Sequence, residues 1–146
     1  MASKIQKLYI DMVPQGNYAA RLEEGRPLQF FRVDRPTFGN FEGFTKVQRR
    51  GADMLSMLYL VGRDGTLRIY DDRYADEFLT VIADLTYASV LYGQELGKCC
   101  RCNISLTDER SRYYGIGPEC AKHWSSLIEY VHEQKGIPKH CESYEV

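Results

Sequence analysis

Four side chains suited to holding a metal ion fall between positions 99 and 123: Cys99, Cys102, Cys120 and His123. The pattern reads Cys99-Cys100-Arg101-Cys102, then seventeen intervening residues, then Cys120-Ala121-Lys122-His123. Zinc takes four nitrogen or sulfur ligands in a tetrahedron, and thiols flanking a two-residue turn can face a common centre. Gly117-Pro118 predicts a helix start just ahead of the second pair, with proline at the first helical position, where its missing N–H costs nothing. Cys120 then lies in the first turn, where the helix dipole favours a thiolate, and His123 follows three residues on, along the same face. A Cys-x-x-Cys knuckle followed by a pair on an opening helical turn is the arrangement of a treble-clef-like module holding one structural Zn²⁺. Cys100 could replace Cys99, and His140 or Cys141 could replace His123. Gly115 and Gly117 are expected to permit close backbone approach near the metal.

Other chemistries fit these residues poorly. A thioredoxin-like redox pair would sit between a strand and a helix, whereas this pair follows a helical segment. Gly115-Ile116-Gly117-Pro118-Glu119-Cys120 lacks the last glycine of a dinucleotide loop, and Pro118 removes a donor a phosphate would use. No His-Glu-x-x-His, nucleotide-binding loop or nucleophile elbow occurs. No His-x-Glu precedes the second pair as in zinc deaminases. Three histidines leave little for a catalytic metal beside the structural one. The chain therefore reads as a binding protein with no catalytic set and no implied small-molecule substrate.

Composition limits the partners. The 146 residues carry 19 Lys and Arg against 20 Asp and Glu, so no basic excess drives phosphate-backbone binding. Residues 1–95 hold 12 cations and 13 carboxylates, and residues 96–146 hold seven of each. The opening MASKIQKLYIDMVP has no apolar core of a secretory signal, and no run approaches the ~20 apolar residues of a membrane helix. Five cysteines, four of them between positions 99 and 120, favour metal ligation in a reducing cytoplasm over a disulfide framework.

The elements that must position the cluster follow from periodicity. Residues 17–22, 28–33, 44–50, 57–61 and 67–70 read as strands separated by Gly- and Pro-rich turns, giving a small antiparallel sheet. Such a sheet needs a covering layer. Residues 74–92 supply one: Phe78, Leu79, Ile82, Leu85 and Ser89 share a helical face, with Asp71 and Asp72 as the expected cap and Gly93 as the stop. Val81, Tyr87, Val90 and Leu91 widen that face, so the helix should be sandwiched between the sheet and the metal module. Ile104 and Leu106 suit a short strand, residues 107–111 a turn, and residues 118–134 a final helix carrying Trp124, Leu127, Ile128 and Val131 inward. His132 reads as a surface residue. The expected organisation is α+β: sheet and covering helix in 1–95, zinc module in 96–135, and an irregular tail in 136–146.

Gly97-Lys98-Cys99-Cys100-Arg101-Cys102, Leu106-Thr107-Asp108, Ser111 and Gly115-Ile116-Gly117-Pro118-Glu119-Cys120 resemble a short zinc-binding family of bacteriophage and actinobacterial proteins, known only as a domain of unknown function. The likeness covers about residues 96–123. Upstream, Val13-Pro14-Gln15-Gly16-Asn17-Tyr18-Ala19 and Phe31-Arg32-Val33-Asp34-Arg35-Pro36 are similar to a segment that precedes the module in phage proteins. Some relatives attach the module to helicase-like or other nucleic-acid enzymes. The resemblance implies a phage or mobile-element origin, and hence a bacterial host cytoplasm, together with a zinc module; it implies no reaction.

Two kinds of partner suit such a chain. Abundant aromatics, small size and the loop carrying Phe38, Phe41 and Phe44 favour a protein partner, as an adaptor or inhibitor of a host or phage complex. Sheet-edge packing would account for at least two of those phenylalanines. The second is nucleic acid, contacted by Arg101, Arg110, Arg112 and Lys122 with Tyr113 and Tyr114 stacking on bases, and by a further strip of Lys46, Arg49 and Arg50. Asp108, Glu109 and Glu119 oppose it, and Tyr113 or Tyr114 packed inward would leave an ordinary mixed-charge surface.

Overall fold

The computed structural model describes residues 3–145; Met1, Ala2 and Val146, at the outer ends of the segments 1–95 and 136–146, lie outside it. A short helix α1 (Lys7–Asp11) precedes five strands: β1 (Gly16–Ala20), β2 (Gln29–Asp34), β3 (Thr45–Arg50), β4 (Leu55–Val61) and β5 (Leu67–Ile69). Five helices follow: α2 (Ala75–Ala83), α3 (Leu85–Leu96), α4 (Glu109–Tyr114), α5 (Pro118–Ala121) and α6 (Ser125–Lys135). The strands form one antiparallel meander in the order β1-β2-β3-β4-β5. This is the α+β architecture that the strand periodicity predicts. No described helix is long and apolar enough to cross a membrane.

Alternation along the strands sends Tyr18, Phe31, Val33, Val47, Tyr59 and Val61 to one face, where they bury against Phe78 and Val81 of α2. Phe78 lies 5.7 Å from the Phe31 ring and 6.0 Å from the Tyr59 ring. A second core joins Ala19 of β1 to Val90 and Tyr92 of α3 and to the cysteine-rich segment, through Leu106, Tyr114, Ile116, Leu127, Ile128 and Val131. Ala88 belongs to the first core and Val90 to the second, so α3 is the element held between the sheet and the cysteine-rich segment.

The predicted helix over 74–92 is two helices. Asp84 leaves helical space (φ −150°, ψ 85°), and its carboxylate accepts from the Tyr87 N–H at 3.1 Å, capping α3. Asp71 and Asp72 cap nothing. Asp71 accepts from the backbone and guanidinium of Arg73, which holds its carboxyl below the usual range; Asp72 accepts from the Tyr59 hydroxyl at 2.6 Å. Gly93 does not end the helix either. The stop is Gly97, at φ +64°. Gly93 is inside α3 because the chain passes against it there: a Cβ would meet the carbonyl oxygen of Gly115 at 2.1 Å and its Cα at 2.4 Å.

Residues 107–111, read as a turn, instead open α4, whose N–H at Ser111 is capped by Asp108 at 3.1 Å. The final helix breaks at Trp124 (φ −144°, ψ 64°) into α5 and α6. The tail is irregular but anchored. Tyr144 is buried, stacks on Tyr114 at 4.6 Å and donates to the Ile116 carbonyl at 2.9 Å, and its N–H donates to the Tyr114 hydroxyl at 3.2 Å. His132, read as a surface residue, is half-buried and pairs through Nε2 with the same hydroxyl at 2.8 Å.

Because both sides of the Gly93–Gly115 contact are backbone, Gly93→Ala must push α3 away from the following chain. Overpacking of this kind costs about 3 kcal/mol, against the ~1 kcal/mol gain that Gly→Ala gives in an unobstructed helix. Urea unfolding of the two proteins measures the difference, and a gain in stability would contradict the packing described.

Candidate metal centre

The first two cysteines sit on a tight reversal. Lys98 and Ser105 form an isolated antiparallel bridge. Inside it the Cys99 N–H donates to the Ile104 carbonyl at 2.9 Å and the Asn103 N–H to the Cys99 carbonyl at 2.9 Å, while the Leu106 N–H reaches the Gly97 carbonyl at 2.8 Å. The reversal needs one residue in left-handed space. Asn103 takes it at φ +66°, the one non-glycine with positive φ among the described residues. Its side chain accepts a short hydrogen bond from the Tyr92 hydroxyl, tying the knuckle to α3.

Helix α5 brings the third thiol. Proline occupies its first turn after Gly117, as the sequence predicts, and Cys120 faces the knuckle. The sulfurs of Cys99, Cys102 and Cys120 all lie within 4.8 Å of one another. An ion about 2.3 Å from tetrahedral sulfurs requires them about 3.8 Å apart, so the cluster could hold a metal ion after small side-chain adjustment. Cys99 is buried, Cys120 half-buried and Cys102 exposed.

The electrostatics suit a thiolate at the buried end. Burial pushes the Cys99 thiol up, but N–H groups of Cys102, Gly117 and Arg101 aim at it, and the net shift is downward. The Gly117 N–H stands 3.4 Å from its sulfur. Cys120 is pushed up to about 12 by burial and by the neighbouring Cys99 and Cys102. Three thiols this close cannot all ionise alone, and a cation among them removes the conflict.

His123 is not part of that group. It is exposed and lines the same open cleft as Cys102, Cys120 and Glu119, with its ring nitrogens outside the 4.8 Å set. Cys100, His140 and Cys141 are outside it as well. Cys100 is buried in the second core, and burial pushes its thiol well up, as for a small apolar side chain. Gly115, at φ +74°, packs its α-carbon against α3 and accepts at its carbonyl from the Cys100 N–H at 3.1 Å, while Gly117 brings its N–H to the Cys99 sulfur.

The knuckle is joined to the sheet by a residue that periodicity does not flag. The backbone N–H of Asn17 donates to the Cys100 carbonyl at 2.7 Å, and its wholly buried side-chain amide reaches the same oxygen at 3.3 Å and that of Arg101 at 3.4 Å. An asparagine in an otherwise apolar strand was the available signal.

Most of the residues named as partner contacts are engaged internally. Tyr114 is wholly buried and cannot stack on a base, a correction that follows from its place at the centre of the second core. The Tyr113 hydroxyl donates to the Gly136 carbonyl at 2.6 Å, with the Lys135 ammonium 3.9 Å from its ring centroid. Arg112 donates to the Leu106 carbonyl at 2.8 Å, and Arg110 lies over Tyr144, 3.6 Å from Glu142. Lys122 pairs with Glu119 at 3.2 Å. Arg101 is exposed, 6.0 Å from the Trp124 ring centroid. Lys46 and Arg50 alternate onto one face of β3, whereas Arg49 turns to the other and packs on Tyr74 at 4.5 Å.

If the three thiols are ligands, Cys102→Ser and Cys120→Ser each lose bound metal, measured per chain by elemental analysis, whereas Cys100→Ser retains it. Loss of metal from Cys100→Ser with retention in Cys120→Ser would reassign the cluster.

Residues 89–125, from the middle of α3 through the knuckle to the start of α6, match the model of a family described as Family of unknown function (DUF6011). No curated protein matches the chain, and no solved structure does.

Proposed function

We propose that this chain is a structural-zinc protein that works by binding a protein complex and performs no catalysis of its own. The observation that carries the reading is the convergence of three sulfurs from two separate elements, a knuckle and an opening helical turn. Soft thiolates in a compact group suit Zn²⁺ over harder cations. His123 completes the set by a change of side-chain rotamer from the wall of the same cleft, giving a treble-clef-like module. Bound zinc supplies structure: it clamps the knuckle to α5. Structural zinc is worth an apparent ~10–16 kcal/mol in finger peptides, enough to hold a segment of this size.

The surface favours a protein partner. Phe38 is 82 % exposed on a loop whose backbone is fixed, with Gly43 donating to the Pro36 carbonyl at 3.2 Å and Arg63 to the Glu42 carbonyl at 2.5 Å. Phe41 and Phe44 pack edge to face at 5.6 Å, with Lys46 over one ring and Arg63 over the other, so these two serve the loop and Phe38 is left free. An exposed aromatic on a rigid support matches the anchors that dominate protein interfaces. The resemblance to phage proteins supports an adaptor or inhibitor of a host or phage complex in the bacterial cytoplasm. The second reading, an accessory protein using the zinc module on nucleic acid, keeps only Arg101 and Lys122 from that module, together with Lys46 and Arg50 on the sheet, since Arg110, Arg112, Tyr113 and Tyr114 are engaged internally.

Elemental analysis is expected to find one zinc per chain, and His123→Ala to weaken retention against a chelator at least tenfold. Retention unchanged in His123→Ala would remove the imidazole from the site. For the partner, capture from host lysate should survive nuclease treatment and fall at least tenfold with Phe38→Ala; capture abolished by nuclease would overturn the protein reading.

A further inference from the structure

The sheet face turned away from α2 carries an uneven charge. Arg32, Lys46 and Arg50 alternate onto it from β2 and β3, and Arg68 joins from β5 through the pairing of Lys46 with Leu60 and Leu60 with Arg68. Asp34 is the one carboxylate within the paired strands on this face, shared between Lys46 at 3.7 Å and Arg32 at 3.9 Å. Two strand spacings separate Lys46 from Arg68, about 10 Å. With 19 cations and 20 carboxylates in all, concentrating cations here leaves the rest of the surface acidic.

The cationic face runs into a cleft. Arg32 and Arg101 line an open cavity of about 400 Å³ beside the cysteines, with Glu119 as its one acidic residue. Gln15 and Arg101 also line an adjoining cleft of about 360 Å³ whose walls include Tyr18, Leu85 and Trp124. The Gln15 carbonyl oxygen accepts from the Arg35 N–H at 2.7 Å, which leaves its amide N–H groups to donate to a ligand. An apolar cleft with an indole in its wall and Arg101 in its lining, beside a second cavity that carries Arg32, suits a planar base carrying a phosphate.

The geometry points to a binding site for single-stranded nucleic acid, with one unstacked base against Trp124, its phosphate on Arg101 and Arg32, and the flanking strand crossing Lys46 and Arg68. A duplex keeps its bases stacked and cannot fill the cleft. A free nucleotide shares the base and phosphate chemistry but gains nothing from Lys46 and Arg68. This surface borders the Phe38 loop, with the Lys46 ammonium 5.1 Å from the Phe41 ring centroid, and does not depend on the protein-partner reading.

Trp124 is the only tryptophan in the chain, so its fluorescence reports on the cleft directly. The zinc-loaded full chain is titrated with a fluorescein-labelled twelve-residue oligothymidylate, following anisotropy and, with unlabelled strand, tryptophan quenching. Both signals are expected to saturate together. Three phosphate contacts on a single strand, one shared by Arg101 and Arg32 and one each at Lys46 and Arg68, imply a log–log salt slope of about −2, a loss of about twenty-fold between 50 and 200 mM salt. Arg32→Ala and Arg68→Ala should each weaken binding at least fivefold and flatten that slope, with metal content and thermal midpoint unchanged. Trp124→Phe should keep the anisotropy change, with weaker affinity. Absence of binding at 50 mM salt overturns the proposal, as does anisotropy without quenching. Equal affinity for thymidine monophosphate overturns the strand assignment, and so does preference for a duplex of the same length. Weakening by Lys122→Ala with no effect of Arg32→Ala would also sink it.

Discussion

The backbone of one residue, Cys100, ties the molecule's two halves together. The Cys100 N–H donates to the Gly115 carbonyl at 3.1 Å, and its carbonyl accepts both the backbone and side-chain N–H groups of Asn17. The first bond fixes the knuckle against the chain leaving α4; the other two fix it to the sheet. Each is buried, where a lost partner leaves an unsatisfied polar group costing about 1–3 kcal/mol. Gly16 beside Asn17 and Gly93 opposite Gly115 follow from the same constraint: a Cβ on Gly16 would stand 3.3 Å from the Cys100 oxygen, and one on Gly93 would collide with Gly115. The spacing of the cysteines sets which thiols converge, but the backbone of Cys100 sets where the cluster sits against the strands.

The cysteine-rich segment has a second support that involves no metal. Tyr114 sits between Tyr113, His132 and Tyr144, with ring centroids 5.2, 5.5 and 4.6 Å away. The hydroxyls of Tyr114 and Tyr144 find partners in His132, Ser111, the Ile116 carbonyl and the Tyr144 N–H. Aromatic rings supply large buried area in a segment with few large aliphatic side chains, and their polar tips are paired instead of stranded. The tail thus contributes a core residue, and the segment 96–135 does not account for its own interior.

Four of the five strands were legible from β-branched and aromatic runs with Gly and Pro between them, because a half-buried sheet writes alternation directly into its sequence; β1, buried on both faces, showed only one tyrosine and the Gly25-Arg26-Pro27 turn beyond it. The paired cysteines and Gly117-Pro118 were legible because ligand spacing and proline chemistry are local. What escaped was set by contacts between distant residues. Gly93 looks like a helix stop until Gly115 is placed against it, and Asp84 looks like an ordinary helix residue until it caps α3. Tyr114 and Tyr113 are adjacent and identical in type, yet one is central to a core and the other lies near its rim. Nothing local distinguishes them. The position of His123 escaped for a similar reason: α5 ends at Ala121, one residue after Cys120, and the chain breaks again at Trp124, so helical spacing does not by itself carry the imidazole to the sulfurs.

The sheet's two margins are treated differently. At one side β5 is three residues long with an outward Arg68, a form that discourages pairing with another chain. At the other, β1 is a run of small residues, Gly16, Asn17, Ala19 and Ala20 around one tyrosine, buried throughout because α3 and the knuckle lie along it. Whatever holds the knuckle in place therefore also shields a strand margin that would otherwise recruit neighbours.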